Sequence, residues 1–267
     1  MITLLTDFGN SDAYVGIMKG AILSVDPSAV IVDLTHDIAP QDIAGAAYCI
    51  DSAYKYFPPG SIHVVVVDPG VGSHRAIIAV SAGGHVFLAP DNGVLSRILS
   101  SGQPKTITVV ENDTYFRKPV SQTFHGRDIF APVAGHLNNG LPVDRLGPEV
   151  TADQLMHLDL PKPYVSKSRE IKGQVIRIDR FGNLITNIDH QLIRAAFDAV
   201  NAHELNVSIG AHHISGLSAS YQEAGSQSLL ALIGSTGFME IAVSGGRASE
   251  FCGAGQGAIV LIQPAGK

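Results

Sequence analysis

The chain has 267 residues, 45% hydrophobic and 16% charged, with 28 glycines; this excludes a disordered or fibrous protein and leaves length for two modest domains or one large one. Its formal net charge is −6 and no Lys/Arg cluster stands out. Nucleic acid is therefore not an expected partner, because phosphate binding needs a basic footprint.

Residues 2–5 read as a strand with neither a basic flank nor a long apolar run, so no signal peptide or membrane span is expected, and the cytoplasm is the expected compartment. The loop Thr6-Asp7-Phe8-Gly9-Asn10-Ser11-Asp12 leads into a helix marked by Tyr14, Ile17, Met18, Ala21, Ile22 and Val25, with Ser11 or Asp12 as its cap and Asp26-Pro27 as its end. A strand over 29–34, a loop over 35–42 and a helix over about 42–56 follow. Cys49 falls in that helix as a small core hydrophobe. It lies far from Cys252, and the pair matches no disulfide, metal or redox spacing.

Residues 62–67 form the predicted central strand. Val64 to Val67 are four successive valines, which fits burial on both faces, since a half-exposed strand would alternate. The run ends at Asp68, where Pro69-Gly70 forces a turn and Arg75 is near enough to fold back. Strand–helix–strand–helix–strand is a doubly wound pattern, and right-handed crossovers put its three loops on one edge, where open α/β sheets bind ligands. Beyond it, 77–80 and 85–88 read as a hairpin through Gly83-Gly84, followed by the turn Pro90-Asp91-Asn92-Gly93, a short helix and a strand over 107–110. Thr123-Phe124-His125-Gly126-Arg127-Asp128 precedes a helix that runs to Asn139. A proline-containing linker over 157–171 separates this α/β domain (1–160) from a second domain (171–267). The second reads as short strands over 174–178, 184–188, 205–209, 229–233, 238–243 and 258–262, a small barrel or sandwich.

Polar clusters thus gather at loop ends: Asp7 with Asp12, Asp37 with Gln41 and Asp42, Asp68 with Arg75, and His125 with Arg127 and Asp128. Asp179-Arg180-Phe181-Gly182-Asn183 adds another in the second domain. Carboxylates with an imidazole also suit a metal-dependent phosphoesterase. Arg75 would crowd such cations, however, and no pair has a familiar ligand spacing.

With Thr6-Asp7-Phe8-Gly9, Thr35-His36-Asp37-Ile38, Val67-Asp68-Pro69-Gly70-Val71-Gly72, Pro90-Asp91-Asn92-Gly93, Thr123 to Asp128, Asp179 to Ile188 and Glu240-Ile241-Ala242-Val243 in this order, the chain resembles the S-adenosyl-L-methionine (SAM) hydroxide adenosyltransferases. These are adenosine-forming SAM hydrolases, related to the fluorinase and chlorinase. The resemblance implies an N-terminal Rossmann-like sheet with flanking helices and a smaller C-terminal barrel-like β domain. It also implies SAM as substrate, adenosine and L-methionine as products, no cofactor or metal, and a homotrimer with sites between subunits. A water held by Asp68, Arg75 and His125 would attack the ribose C5′ and expel methionine. Arg75 favours the ionised form of Asp68 and so weakens it as a proton acceptor, which leaves Asp68 and neutral His125 both open as the base.

The resemblance further places Asp7 on the ribose hydroxyls, Asp12 and Asp179 on the methionine ammonium, Asn183 on the adenine and Ser235 at the methionine carboxylate. Phe181 either stacks or packs. Thr236 stands where the fluorinase has an arginine, so the carboxylate clamp differs. Asp68 stands where the fluorinase has a tyrosine, and Gly126 where it has the serine that holds fluoride. A carboxylate at the nucleophile position repels halide and accepts a hydrogen bond from water, which argues for hydrolysis over halogenation. A SAM-binding protein without catalysis is the reading from a different class.

Overall fold

The computed structural model describes residues 1–101, 104–198 and 200–265; residues 199, 266 and 267 of the expected second domain lie outside these. The chain divides into two units, Met1–Asp159 and Leu160–Lys267.

In the first unit, strands β1 (Ile2–Thr6) and β2 (Ile31–Thr35) flank helix α1 (Tyr14–Val25), and helix α2 (Ile43–Ala53) leads to β3 (Ile62–Val66). The hairpin of β4 (Ile77–Ala82) and β5 (His85–Pro90) precedes α3 (Ser96–Ser101), β6 (Thr106–Val109) and α4 (Ala131–Asn138). The sheet order is β2-β1-β3-β5-β4-β6. β1 pairs in parallel with β2 and β3, and β5 pairs in parallel with β3 but antiparallel with β4. The doubly wound core therefore acquires a hairpin on one side, so the sheet is mixed.

Burial of the valine run on both faces follows from the period of two along a strand. Val64 and Val66 pack with Met18, Ile22, Phe130 and Val133 on the α1/α4 face, while Val65 and Val67 pack with Ala46, Ile50, Leu95 and Ile98 on the α2/α3 face. α1 turns a narrower stripe inward than its sequence suggests. Val15, Met18 and Ile22 are buried, whereas Tyr14 and Ile17 are exposed. Neither Ser11 nor Asp12 caps the helix, because Ala13 holds the cap position without a side-chain bond. Asp42 does cap α2, accepting from Gly45 N at 2.8 Å.

The buried polar group His63 lies on β3 with Nδ1 2.8 Å from Thr3 Oγ1 and Nε2 3.1 Å from His85 Nδ1. Burial, and next to it the His85 ring, pushes its pKa from 6.5 down to about 3. The unfolded chain then binds the proton more readily. Stability from the neutral ring is complete above about pH 6.5 and is lost as pH falls toward 3, at about 1.4 kcal/mol per pH unit. His63→Phe should therefore lose roughly 2 kcal/mol less than the wild type between pH 7.5 and 5.0 in urea denaturation. Equal losses in the two proteins would show that another group sets the slope.

In the second unit β7 (Tyr164–Val165), β8 (Ile171–Ile178) and β9 (Leu184–Asp189) precede α5 (His190–Ala196). β10 (Leu205–Ile209), β11 (His212–Ser215), β12 (Leu229–Ile233), β13 (Phe238–Val243), α6 (Ala248–Cys252) and β14 (Ile259–Pro264) complete it. The sheet order β11-β10-β14-β8-β9-β13-β12, antiparallel throughout with β7 added beside β8, makes a nearly closed barrel-like layer. Its core includes Ile171, Val175, Leu184, Ile241 and Val260. No described helix is long and apolar enough to cross a membrane.

Candidate active site

The loops that follow β1, β2 and β3 open on one cleft of about 420 Å³, which residues 123–126 before α4 also line. That volume suits a small organic ligand. Asp7, Asp68 and His125 all line it, whereas Asp12 does not.

Asp68 stands just past β3, and the loop after it is tightened by Ser73, whose N and Oγ both donate to Gly70 O, at 3.0 and 2.7 Å. Gly72 (φ +76°) lies hard against the Gln122 carbonyl, an approach that any Cβ would block. The loop returns Arg75 onto Asp68. Arg75 Nε lies 2.9 Å from each carboxylate oxygen, and its Nη2 makes a further bond to Oδ2. The same Nη2 lies 2.8 Å from His125 Nδ1. The side chains of Arg75 and Asp68 are only 11% and 5% exposed, so this fork is shielded from water.

A guanidinium can only donate, so His125 Nδ1 is the acceptor in that contact and the proton of the neutral ring sits on Nε2. Burial, and then the Arg75 cation, push the His125 pKa below its ordinary 6.5, although Asp68 and Asp128 act the other way. Neutral His125 is thus built into the arrangement.

Directly after His125 the chain makes a π-helical turn, Gly126–Phe130, before α4. Such turns recur at functional sites. A Cβ at Gly126 would come within 3.1 Å of Met18 Sδ and 3.2 Å of the Phe124 ring, so a larger residue needs its neighbours to move. Asp128, grouped with His125 in the sequence, plays a structural part. It is fully buried, bound by Arg127 Nε and Nη2 at 2.7 Å each and by Ser121 N at 2.9 Å. Burial alone would raise its pKa, yet these donors hold the carboxyl below the ordinary carboxylate range.

Asp7 lines the cleft, and its Oδ2 accepts from the backbone N of Gln41 at 2.8 Å, which leaves Oδ1 without a described partner. Gln41 adopts φ 66°, a costly conformation for this residue type, and such strain persists where the surroundings fix it. Nothing in the sequence marks this strain. His36 braces the same loop: its ring Nδ1 is 2.8 Å from Thr6 Oγ1 and its carbonyl accepts from Gly9 N at 2.8 Å. Phe8, Tyr14 and Phe124 form an aromatic wall with centroid separations of 5.7, 6.1 and 5.2 Å. In the sequence Tyr14 counted only toward the apolar spacing that marks α1.

The other predicted contacts lie in the second unit. Asp179 Oδ1 accepts from Asn183 N at 2.8 Å and its Oδ2 from Asn183 Nδ2 at 3.0 Å. One hydrogen of the Asn183 amide is thus taken by Asp179, which leaves its second hydrogen and its Oδ1 for another partner. Phe181 is 75% exposed and packs into no core. Ser235 and Thr236 sit exposed in the turn between β12 and β13. Nearby, buried Glu240 accepts from Tyr221 Oη at 2.7 Å, and burial with the carboxylates of Glu240 and Asp179 pushes the Tyr221 phenol up to about 12. Among the described residues no three His, Cys, Asp or Glu side chains converge to hold a metal.

Comparison with known proteins places these features in a wider set. The profile described as the SAM hydroxide adenosyltransferase N-terminal domain matches residues 2–147, and that of the C-terminal domain matches residues 173–261. The chain is 35% identical over 268 residues to the (R)-S-adenosyl-L-methionine hydrolase of Thermus thermophilus, covering 98% of each protein. The fluorinase of Actinoplanes sp. is more distant, 27% identical over 213 residues, covering 70% of this chain and 71% of the fluorinase. The crystal structure of an uncharacterized conserved protein from Thermotoga maritima superimposes with a TM-score of 0.91 at 36% identity, covering 98% of this chain and 99% of that one.

Proposed function

The chain belongs to the SAM hydroxide adenosyltransferase family, and from that premise we propose that it hydrolyses S-adenosyl-L-methionine to adenosine and L-methionine. The observation that carries this reading is the fork in which Arg75 binds Asp68 and His125 at once, beside a cleft of nucleoside size.

In the proposed step a water oxygen attacks ribose C5′ while the C5′–S bond breaks. The electron pair of that bond goes to sulfur, and methionine leaves as a neutral thioether. The water's proton passes to Asp68 and then to solvent. The geometry favours Asp68 over His125 as acceptor. The free nitrogen of neutral His125, Nε2, carries a hydrogen and can only donate. Asp68, although bound three times by Arg75, keeps one lone pair for the water and lines the cleft. His125 Nε2–H and Asp68 together can fix the water in line with the C5′–S bond, and such alignment can contribute up to about 7–11 kcal/mol. A site poor in water also favours a step in which the substrate's localised positive charge disperses.

Asp7 is proposed to take the ribose hydroxyls, with Oδ1 available and Oδ2 anchored by Gln41. Asp12, Asp179, Asn183, Phe181 and Ser235 keep the contacts that the resemblance implies, and the bonds between Asp179 and Asn183 leave acceptor and donor capacity on both side chains for them. No cofactor is needed. A homotrimer, which rests on the resemblance, and the cytoplasm as compartment complete the reading.

Halogenation is disfavoured on two counts. The Asp68 carboxylate would repel a halide at the nucleophile position. Gly126, where the resemblance puts the serine of the fluorinase, has no hydroxyl to hold a halide. The experiment is incubation with SAM, with and without chelator and with and without chloride. Equal amounts of adenosine and methionine under all four conditions support the reading, and a 5′-halogenated nucleoside would replace it.

A further inference from the structure

The proposed chemistry gives no task to Pro90-Asp91-Asn92-Gly93, the turn that leaves β5. This turn lies alongside the end of β3. The two strands are in register from Ile62↔Val86 to Val64↔Leu88, and Val67 lies beyond that paired stretch. The Val67 carbonyl accepts instead from Asn92 Nδ2 at 2.9 Å. The Asn92 amide is itself oriented, because its Oδ1 accepts from Val94 N at 3.1 Å. One residue earlier, Asp91 N donates to Ala76 O at 2.9 Å.

Val67 and Ala76 are the residues that bracket the loop 68–75, so one turn grips both ends of the segment carrying Asp68 and Arg75. We propose that Asn92 is a positioning residue for the hydrolysis. Its side-chain amide fixes the Asp68 end of the loop relative to the Arg75 end that Asp91 anchors, and so keeps the guanidinium in register with both Asp68 and His125. This inference rests on the proposed reaction. Displacements of about 1 Å in a reacting constellation can cost on the order of 100-fold in rate, so a tether at the loop's root suffices to matter.

Two variants test it. Asn92→Asp keeps an oxygen for Val94 N–H but has no hydrogen to give Val67; Asn92→Ala loses both bonds and adds no charge. Each should lower kcat for SAM by about tenfold or more while KM stays close to wild type, since the ligand-binding groups are untouched. In Asn92→Ala, the His125 titration midpoint followed by NMR should rise toward its ordinary value as the Arg75 cation withdraws. A role confined to stability would lower the melting temperature and leave both readouts at wild-type values, and that result in a folded variant overturns the proposal. If the wild-type protein formed no adenosine, the hydrolase reading would fail. The His125 midpoint would still decide whether Asn92 holds the fork together, because it is measured without turnover.

Discussion

Asp68→Ala should lower kcat for SAM hydrolysis by on the order of 10³-fold, within the range of roughly 10²–10⁴ typical for losing a positioned proton acceptor. The side chain has no substitute. His125 offers only a donor to the cleft, and Arg75 never accepts. Asp68→Asn should be nearly as slow. An amide keeps the shape but takes up no proton, and one of its ends would present hydrogens to the Arg75 fork. KM should move much less than kcat, because the lost interaction develops mainly in the transition state. Binding of adenosine, followed by calorimetry, checks that the cleft survives the substitution. A variant that binds adenosine normally and turns over within about threefold of wild type would remove Asp68 from the mechanism.

The second large effect is expected at Arg75. Arg75→Ala breaks three bonds to Asp68 and one to His125, and leaves a carboxylate that is 5% exposed without its cation. We expect kcat to fall by about 10²–10³-fold, the scale associated with losing one preorganised electrostatic group. Arg75→Lys should rescue little. A lysine carries the charge but not the planar fork that reaches two partners at once. The pH profile separates this account from simple misfolding. Arg75 is among the groups that hold the His125 pKa below 6.5, so the wild-type kcat should persist below that pH before its acid limb falls. Without the cation, the imidazole protonates more easily and the limb should shift upward, toward the ordinary value. A mutant that is merely less stable would keep the wild-type limb.

Much of this arrangement was legible in the residues. The run Val64 to Val67 required a strand covered on both sides, and it is covered by α1 and α4 on one face and by α2 and α3 on the other. Asp68-Pro69-Gly70 required a turn at its end, and Arg75 was close enough in sequence to return. What escaped was set by distant partners. No periodicity tells β5 to run parallel to β3 while antiparallel to β4. The 50-residue separation between Arg75 and His125 gives spacing no hold on their contact, and only the resemblance grouped them with Asp68. Asp128 looked like chemistry because it neighbours His125, yet the π-helical turn leads it into the interior to meet Arg127. Tyr14 matched the apolar spacing of α1 but stays exposed beside Phe8 and Phe124, because the inward stripe is filled by Val15, Met18 and Ile22.

The most direct test of the central claim, that water attacks C5′ of SAM, is turnover in ¹⁸O-labelled water with mass analysis of both products. The account predicts one labelled oxygen in the 5′-hydroxyl of adenosine and none in methionine. Label in the amino-acid product, or release of adenine in place of adenosine, would contradict it.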